Sequence, residues 1–125
     1  MTSSRIKDPG LSAQIEDTEI AWLRYVMPIT EHYCREISQR DYRGKKLACW
    51  MHIRSNTLPM MLALAESGAE IVCGVCNVDS TDDAAAAYLS TRTVRQDGKG
   101  GGITIYGWRG MTQADYDQHK ELVRA

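Results

Sequence analysis

The run "KLACWMHIRSNTLPMMLALAESGAEIVCGVCNV", Lys46 to Val78, decides the fold. It opens with an unbroken apolar stretch of strand length, "KLACWMHI", that gives way abruptly to polar residues. "TLPMMLALAESG" then reads as a helix closed by Gly68, because a glycine past the last turn takes the left-handed conformation that ends a helix without a Cβ clash. "AEIVCGVCNV" is a second apolar strand. Strands covered on both faces read as continuous apolar runs rather than alternating ones, so two such strands around a helix predict parallel pairing.

The pattern extends in both directions. Downstream, "STDDAAAAYL" predicts a helix with Ser80 or Thr81 as cap and two aspartates at the positive end of its dipole. "GITIYGW" predicts a third strand. "MTQADYDQHKELVRA" predicts a last helix, opened by a capping box between Thr112 and Asp115. Upstream, Asp8-Pro9 can start a helix, with Leu11, Ile15, Trp22 and Val26 on one face. Met27-Pro28 interrupts it, since the residue before proline is pushed out of helical geometry. A second short helix would turn Ile29, Tyr33 and Ile37 inward, and "RDYRGKK" reads as a turn. The expected architecture is α/β: a three-layer open parallel sheet of at least three strands, Rossmann- or flavodoxin-like, preceded by an N-terminal helical arm.

The chain has 125 residues, which suits one domain that buries roughly two thirds of its unfolded surface. Residues 1–43 would form the arm and residues 44–125 the α/β unit. The net charge of -1 supplies no basic field, so neither nucleic acid nor an anionic membrane is expected as partner. The sequence holds no apolar run long enough to span a bilayer, and the first ten residues lack a signal-peptide core. Cytoplasmic residence is the resulting expectation, with Cys34, Cys49, Cys73 and Cys76 as reduced thiols.

In open α/β sheets ligands bind beyond the carboxyl ends of the strands. That rule selects residues 52–57, 76–83 and 108–112. His52 ends the first strand, and a histidine suits proton transfer near neutral pH. Arg54, Ser55, Asn56 and Thr57 follow it, where free amides at a helix start can hold a polar ligand edge. The competing reading makes Asn56 or Thr57 a simple cap and His52 a hydrogen-bonded bystander. Asn77, Ser80, Thr81 and Asp83 stand at the second strand end, as ligand contacts or as turn and cap residues. Cys73-x-x-Cys76 sits within a strand, where the two side chains point to opposite faces, and further zinc ligands at suitable spacing are lacking; no metal is expected. "DGKGGG", Asp97 to Gly102, precedes a strand and has Ile103 where a dinucleotide fingerprint needs its last glycine, so it reads as a flexible connection. The tryptophans Trp22, Trp50 and Trp108 read as core or interface, and His32 and His119 as solvent-facing or packed.

Several motifs in order carry a resemblance. "IKDPGLS" with a helix ending "VMP" is similar to "KD-x-x-LA … E-MP". "YRGKKLACWMHI" is similar to "L-x-GARIAGCLHM", "LALAESGAEIVCGVCNVDSTDDAAAA" to "ETL-x-x-LGAEV…SSCN-x-x-STQD-x-x-AAA", and "ITIYGWRGMTQADY" to "VPVYAWKGET-x-EEY". The chain resembles, nearly end to end, the N-terminal substrate-binding domain of the S-adenosylhomocysteine hydrolase (adenosylhomocysteinase) family. The resemblance implies an α/β substrate domain whose NAD belongs to a second domain. In the family the ribose 3′-hydroxyl is oxidised, the 4′ hydrogen becomes acidic, homocysteine is eliminated, water adds, and the ketone is reduced. His52 matches the family histidine that stands beside the scissile 5′ position, and Thr57 matches a threonine that helps hold the adenosine.

This sequence departs from the family at Arg54, which replaces a threonine, and at Asn56, which replaces an acidic or amide residue. Arginine only donates hydrogen bonds, so it suits an acceptor edge such as an oxopurine or uracil, or an anion. The family's catalytic lysine and aspartate and its NAD fingerprint are expected to be missing, so the chain itself would bind no cofactor. NAD would then enter only through a partner chain. Three functions follow as expectations. One is the substrate half of an NAD-dependent thioether hydrolase acting at the ribose 4′/5′ position, either as a fragment or as one subunit completed by a separate NAD-binding chain. Another is a cofactor-independent lyase or dehydratase on a 5′-aldehyde or 3′-keto nucleoside. The last is a non-catalytic nucleoside-binding remnant. The expected partners are a nucleoside or S-nucleosylhomocysteine, and a NAD-binding subunit or a second copy of the chain.

Overall fold

The computed structural model of the chain describes residues 4–91 and 101–125. Three strands, β1 (Lys46–Met51), β2 (Glu70–Val75) and β3 (Ile103–Tyr106), form one parallel sheet in the order β1-β2-β3. The expected α/β architecture is therefore observed. Its register places Leu47, Ile71 and Ile103 in one row and Cys49, Cys73 and Ile105 in the next. These side chains share a face, because alternate residues of a strand point the same way. Cys49, Ile71, Cys73, Ile103 and Ile105 pack into one core with Leu58, Met61 and Ala65 of α3 (Leu58–Glu66) and Ala85, Ala86 and Leu89 of α4 (Asp83–Thr91).

The other face of the sheet presents the row Trp50, Gly74 and Tyr106 to α5 (Gln113–Arg124). Trp50 meets Tyr116 edge to face at 5.3 Å and donates its indole N–H to the Tyr116 hydroxyl over 3.3 Å. His119 stacks on Tyr106 at 6.0 Å and meets the edge of Trp108 at 5.1 Å. Gly74 is required between them, since a Cβ there would enter the Trp50 ring. The sheet thus lies between two helical layers.

Local signals explain the boundaries. Gly68 follows α3 with φ +97 and its N–H reaches the Ala65 carbonyl, as expected of a helix stop. Thr112 and Asp115 form the predicted capping box of α5. At α4 the expected caps are displaced: Asp82 accepts from the N–H groups of Ala84 and Ala85, while the Ser80 and Thr81 hydroxyls donate to the Asn77 carbonyl. Three cap-forming residues stand in a row there, and the turn tied by Asn77 leaves the helix start to the third.

The arm departs from its expected faces. Asp8 caps a short 3-10 segment, Pro9–Gln14, rather than a long helix. Ile15 and Glu16 are extended, so α1 (Asp17–Val26) starts afresh and the helical phase is lost between Leu11 and Trp22. Met27 breaks the chain again before α2 (Pro28–Ser38), as the proline predicts. The arm buries Ile15, Ile20 and Cys34, whereas Trp22, Val26, Ile29 and Tyr33 are exposed and Ile37 is half-buried. Packing against α3 favours the slim Cys34 side of α2, and the bulky residues are left outside.

At the far edge of the sheet, Arg5 makes a parallel bridge to Tyr106, its N–H donating to Ile105 and its carbonyl accepting from Gly107, both at 2.9 Å. Of the "DGKGGG" stretch, residues 97–100 lie outside the described residues. Gly101 leads into β3, its N–H donating to the Ala65 carbonyl at 3.0 Å, and a Cβ there would enter the Ala69 carbonyl. All four cysteines are free thiols. Among the described residues no helix is long and apolar enough to cross a membrane.

Candidate functional site

The loops leaving the three strands are bound to one another. Asp82 N–H donates to the Ile53 carbonyl at 2.9 Å, Gly110 N–H to Val78 at 3.1 Å, and Arg109 N–H to the Asp83 carboxylate at 2.8 Å. These bonds hold the carboxyl ends of the strands as one rim. On the rim, His52 is exposed, and its Nδ1 lies 2.7 Å from the Ser80 hydroxyl. One ring nitrogen is thereby anchored, and Nε2 is left free for exchange with a ligand.

Beside Ser80 opens a cleft of about 380 Å³ lined by Leu11, Gln14, Arg54, Ser55, Asp79, Ser80, Thr81, Asp82, Asp83, Ala84 and Arg109. It is walled by charge of both signs. Asp83 is engaged by Lys7 at 3.8 Å. Among the described residues Arg54 and Arg109 have no carboxylate partner within ion-pair distance, so both guanidinium groups keep their full donor capacity. A smaller cavity of about 230 Å³ lies on the α5 side, lined by Cys76, Asn77, Val78, Met111, Thr112, Gln113 and Tyr116.

The expected site residues divide accordingly. Arg54, Ser55, Ser80, Thr81 and Asp83 line the larger cleft, with His52 tied to it through Ser80. Asn77 lines the smaller cavity. Asn56 and Thr57 line neither: Thr57 closes the turn, its hydroxyl donating to the Arg54 carbonyl at 2.8 Å and accepting from the Arg54 N–H at 3.2 Å. This turn orients Arg54. Leu11, Gln14, Asp79, Asp82 and Arg109 join the cleft without having been singled out in the sequence. Arg109 lies inside the third strand-end segment, so the strand-end rule could have found it, whereas nothing in the arm signals that Leu11 and Gln14 fold over the strand ends.

Cys73 offers no chemistry at this rim. Burial, reinforced by the neighbouring Cys49, pushes the Cys73 thiol up to about 12. No group of three or more metal-ligating side chains occurs among the described residues.

The family model for S-adenosyl-L-homocysteine hydrolase matches residues 11–124. The chain belongs to that family. The S-inosyl-L-homocysteine hydrolase of Methanothermobacter thermautotrophicus is 32% identical over 114 residues, which cover 90% of this chain and 25% of the relative. The adenosylhomocysteinase of Pyrobaculum aerophilum is 30% identical over 117 residues, covering 93% of this chain and 24% of the relative. The S-inosyl-L-homocysteine hydrolase of Methanopyrus kandleri is 29% identical over 119 residues, covering 94% and 26%. The chain therefore spans about a quarter of the length of these hydrolases. Relatives named for inosyl and for adenosyl substrates stand at nearly equal identity, so overall similarity leaves the base open.

Proposed function

We propose that this domain binds the nucleoside part of an S-nucleosylhomocysteine and prefers an oxopurine base to adenine. The observation that carries the reading is Arg54, a guanidinium without an acidic partner among the described residues, on the wall of the cleft that opens beside the His52–Ser80 pair. An oxopurine presents O6 and N7 as adjacent acceptors, a geometry the planar guanidinium fork can meet with two hydrogen bonds. Adenine places an amino group where O6 would be, and an arginine cannot accept from it. Asp79, also on the wall, can accept from a ring N–H.

His52 is the acid/base group of this reading. When a thioether leaves C5′ its sulfur takes up a proton, and when water adds there it gives one up. The free Nε2 can serve both transfers, because Ser80 holds the ring through Nδ1. The turns leaving the three strands, "HIRSNT", "CNVDSTDD" and "GWRGMT", contain no G-x-G-x-x-G. That supports placing the nicotinamide, where the reaction uses one, on residues other than these.

Isothermal calorimetry with S-inosylhomocysteine and S-adenosylhomocysteine tests the base preference. A bidentate contact discriminates by about 1–3 kcal/mol, so the inosyl compound should bind on the order of tenfold to a hundredfold more tightly. Arg54→Thr should erase that difference. Tight binding of S-adenosylhomocysteine that Arg54→Thr leaves unchanged would refute the reading.

A further inference from the structure

Arg109 is the second arginine of the cleft, and base recognition by Arg54 leaves it unused. It is exposed, it lines the cleft, and among the described residues no carboxylate lies within ion-pair distance of its guanidinium. Its backbone is nonetheless fixed, because its N–H donates to Asp83 at 2.8 Å and Lys7 engages the same carboxylate at 3.8 Å. Asp82 is occupied as well, accepting from the N–H groups of Ala84 and Ala85. A cation is thus held at the rim while the acids beside it bond to other groups.

We propose that Arg109 binds the α-carboxylate of the homocysteine tail and so selects thionucleosides that carry an amino acid at C5′. The inference rests on the proposed binding of an S-nucleosylhomocysteine in this cleft. Sheet order is the first argument. Arg54 follows β1, Ser80 follows β2 and Arg109 follows β3, and the strands are neighbours in that order. Adjacent strands lie about 4.8 Å apart, so the strands that carry the two arginines are about 10 Å apart, with the strand that leads to Ser80 between them. An S-nucleosylhomocysteine has the same order along its length: base, C5′–sulfur bond, carboxylate. With the base on Arg54 and C5′ beside the His52–Ser80 pair, the tail runs toward Arg109. A sulfur and three carbons separate C5′ from the carboxylate, enough chain to cross one strand spacing of about 4.8 Å.

Charge is the second argument. A carboxylate meets the planar guanidinium fork through two parallel N–H bonds, and arginine keeps its charge wherever the carboxylate is ionised. The smaller cavity on the α5 side is the alternative place for the tail. None of the residues that line it is charged, so it offers the carboxylate no counter-ion.

Calorimetry with S-inosylhomocysteine and 5′-methylthioinosine tests this. The two share base, ribose and thioether, and only the first carries the amino acid. The parent chain should bind S-inosylhomocysteine on the order of tenfold more tightly, as one charge-assisted contact provides. Arg109→Gln should remove that advantage and leave the affinity for 5′-methylthioinosine unchanged, which also reports that the variant folds. Added salt should shrink the advantage of the parent, because an exposed ion pair is screened. Gln113→Ala, on the smaller cavity, should change neither affinity. Equal affinities in the parent overturn the proposal, and so does an Arg109→Gln variant that keeps the advantage or weakens both ligands alike. Loss of the advantage in Gln113→Ala overturns it in favour of the smaller cavity. Both ligands carry the same base, so the comparison is independent of base preference. If the inosyl and adenosyl compounds bind equally while Arg109→Gln still removes the tail's advantage, the oxopurine preference fails and the role of Arg109 stands. A chain that binds neither ligand overturns both.

Discussion

His119 offers a test in which stability and pH are coupled. The ring is 1% exposed, and its Nδ1 has no hydrogen-bond partner among the described residues. Burial lowers its pKa below the ordinary histidine value, the charge of Arg5 lowers it further, and Asp115 opposes with a smaller effect. The substitution His119→Phe keeps an aromatic ring between Tyr106 and Trp108 and removes the stranded nitrogen. A buried polar atom without a partner costs about 1–3 kcal/mol, of which imperfect packing of the larger ring gives some back. A gain near ~1 kcal/mol at pH 7 is expected, which for a chain of this size raises Tm by about 4 °C. The pH dependence adds a second signature. Below pH about 6.5 the unfolded chain takes up a proton that the folded chain resists, so folding loses stability as pH falls toward the depressed native value. Phenylalanine binds no proton, and its advantage should therefore widen from pH 7 to pH 5. Chemical denaturation followed by tryptophan fluorescence at several pH values measures both effects. A His119→Phe protein less stable than the parent at pH 7, or an advantage that stays constant down to pH 5, would refute the account.

Three further outcomes follow from packing and capping. Gly74→Ala pushes a methyl group into the Trp50 ring and strains the Trp50–Tyr116 hydrogen bond, so it should cost about 1–3 kcal/mol in the same denaturation assay. Asp82→Ala removes the acceptor of two amides at the start of α4 and should cost about 1 kcal/mol, whereas Ser80→Ala, which leaves those amides satisfied, should cost less. With its thiol pushed up to about 12, Cys73 is roughly one part in ten thousand thiolate at pH 8, so in a timed thiol-labelling experiment read by mass spectrometry it should react only as fast as the protein unfolds.

The sheet was legible because its strands are covered on both sides. Ile71, Cys73, Val75 and Ile105 are fully buried, and such strands write themselves as apolar runs. Gly68 and the Thr112–Asp115 box were legible because each satisfies a backbone need that few residue types can meet. The arm was not, because its phase is reset twice, at Ile15–Glu16 and at Met27, and periodicity carries no information across an extended residue. The site divides along the same line. His52, Arg54, Ser55, Ser80, Thr81 and Asp83 follow strands, and strand ends gather by topology. Leu11 and Gln14 reach the cleft through the fold of the arm, a tertiary fact with no local mark. Thr57, matched by position, bonds through its hydroxyl to the backbone of Arg54 and so sets its neighbour's geometry, a contact that the position alone did not announce.

The placement of Leu11 and Gln14 means that one wall of the cleft belongs to the arm. Lys7 reaches Asp83 from the same segment, and the Tyr88 hydroxyl of α4 donates to Asp17 at the start of α1. Occupancy of the cleft and docking of the arm are then two readings of one equilibrium. A ligand that touches both walls raises the free energy needed to peel the arm away, and a mutation that leaves the arm undocked part of the time weakens the ligand in proportion to the docked fraction it removes.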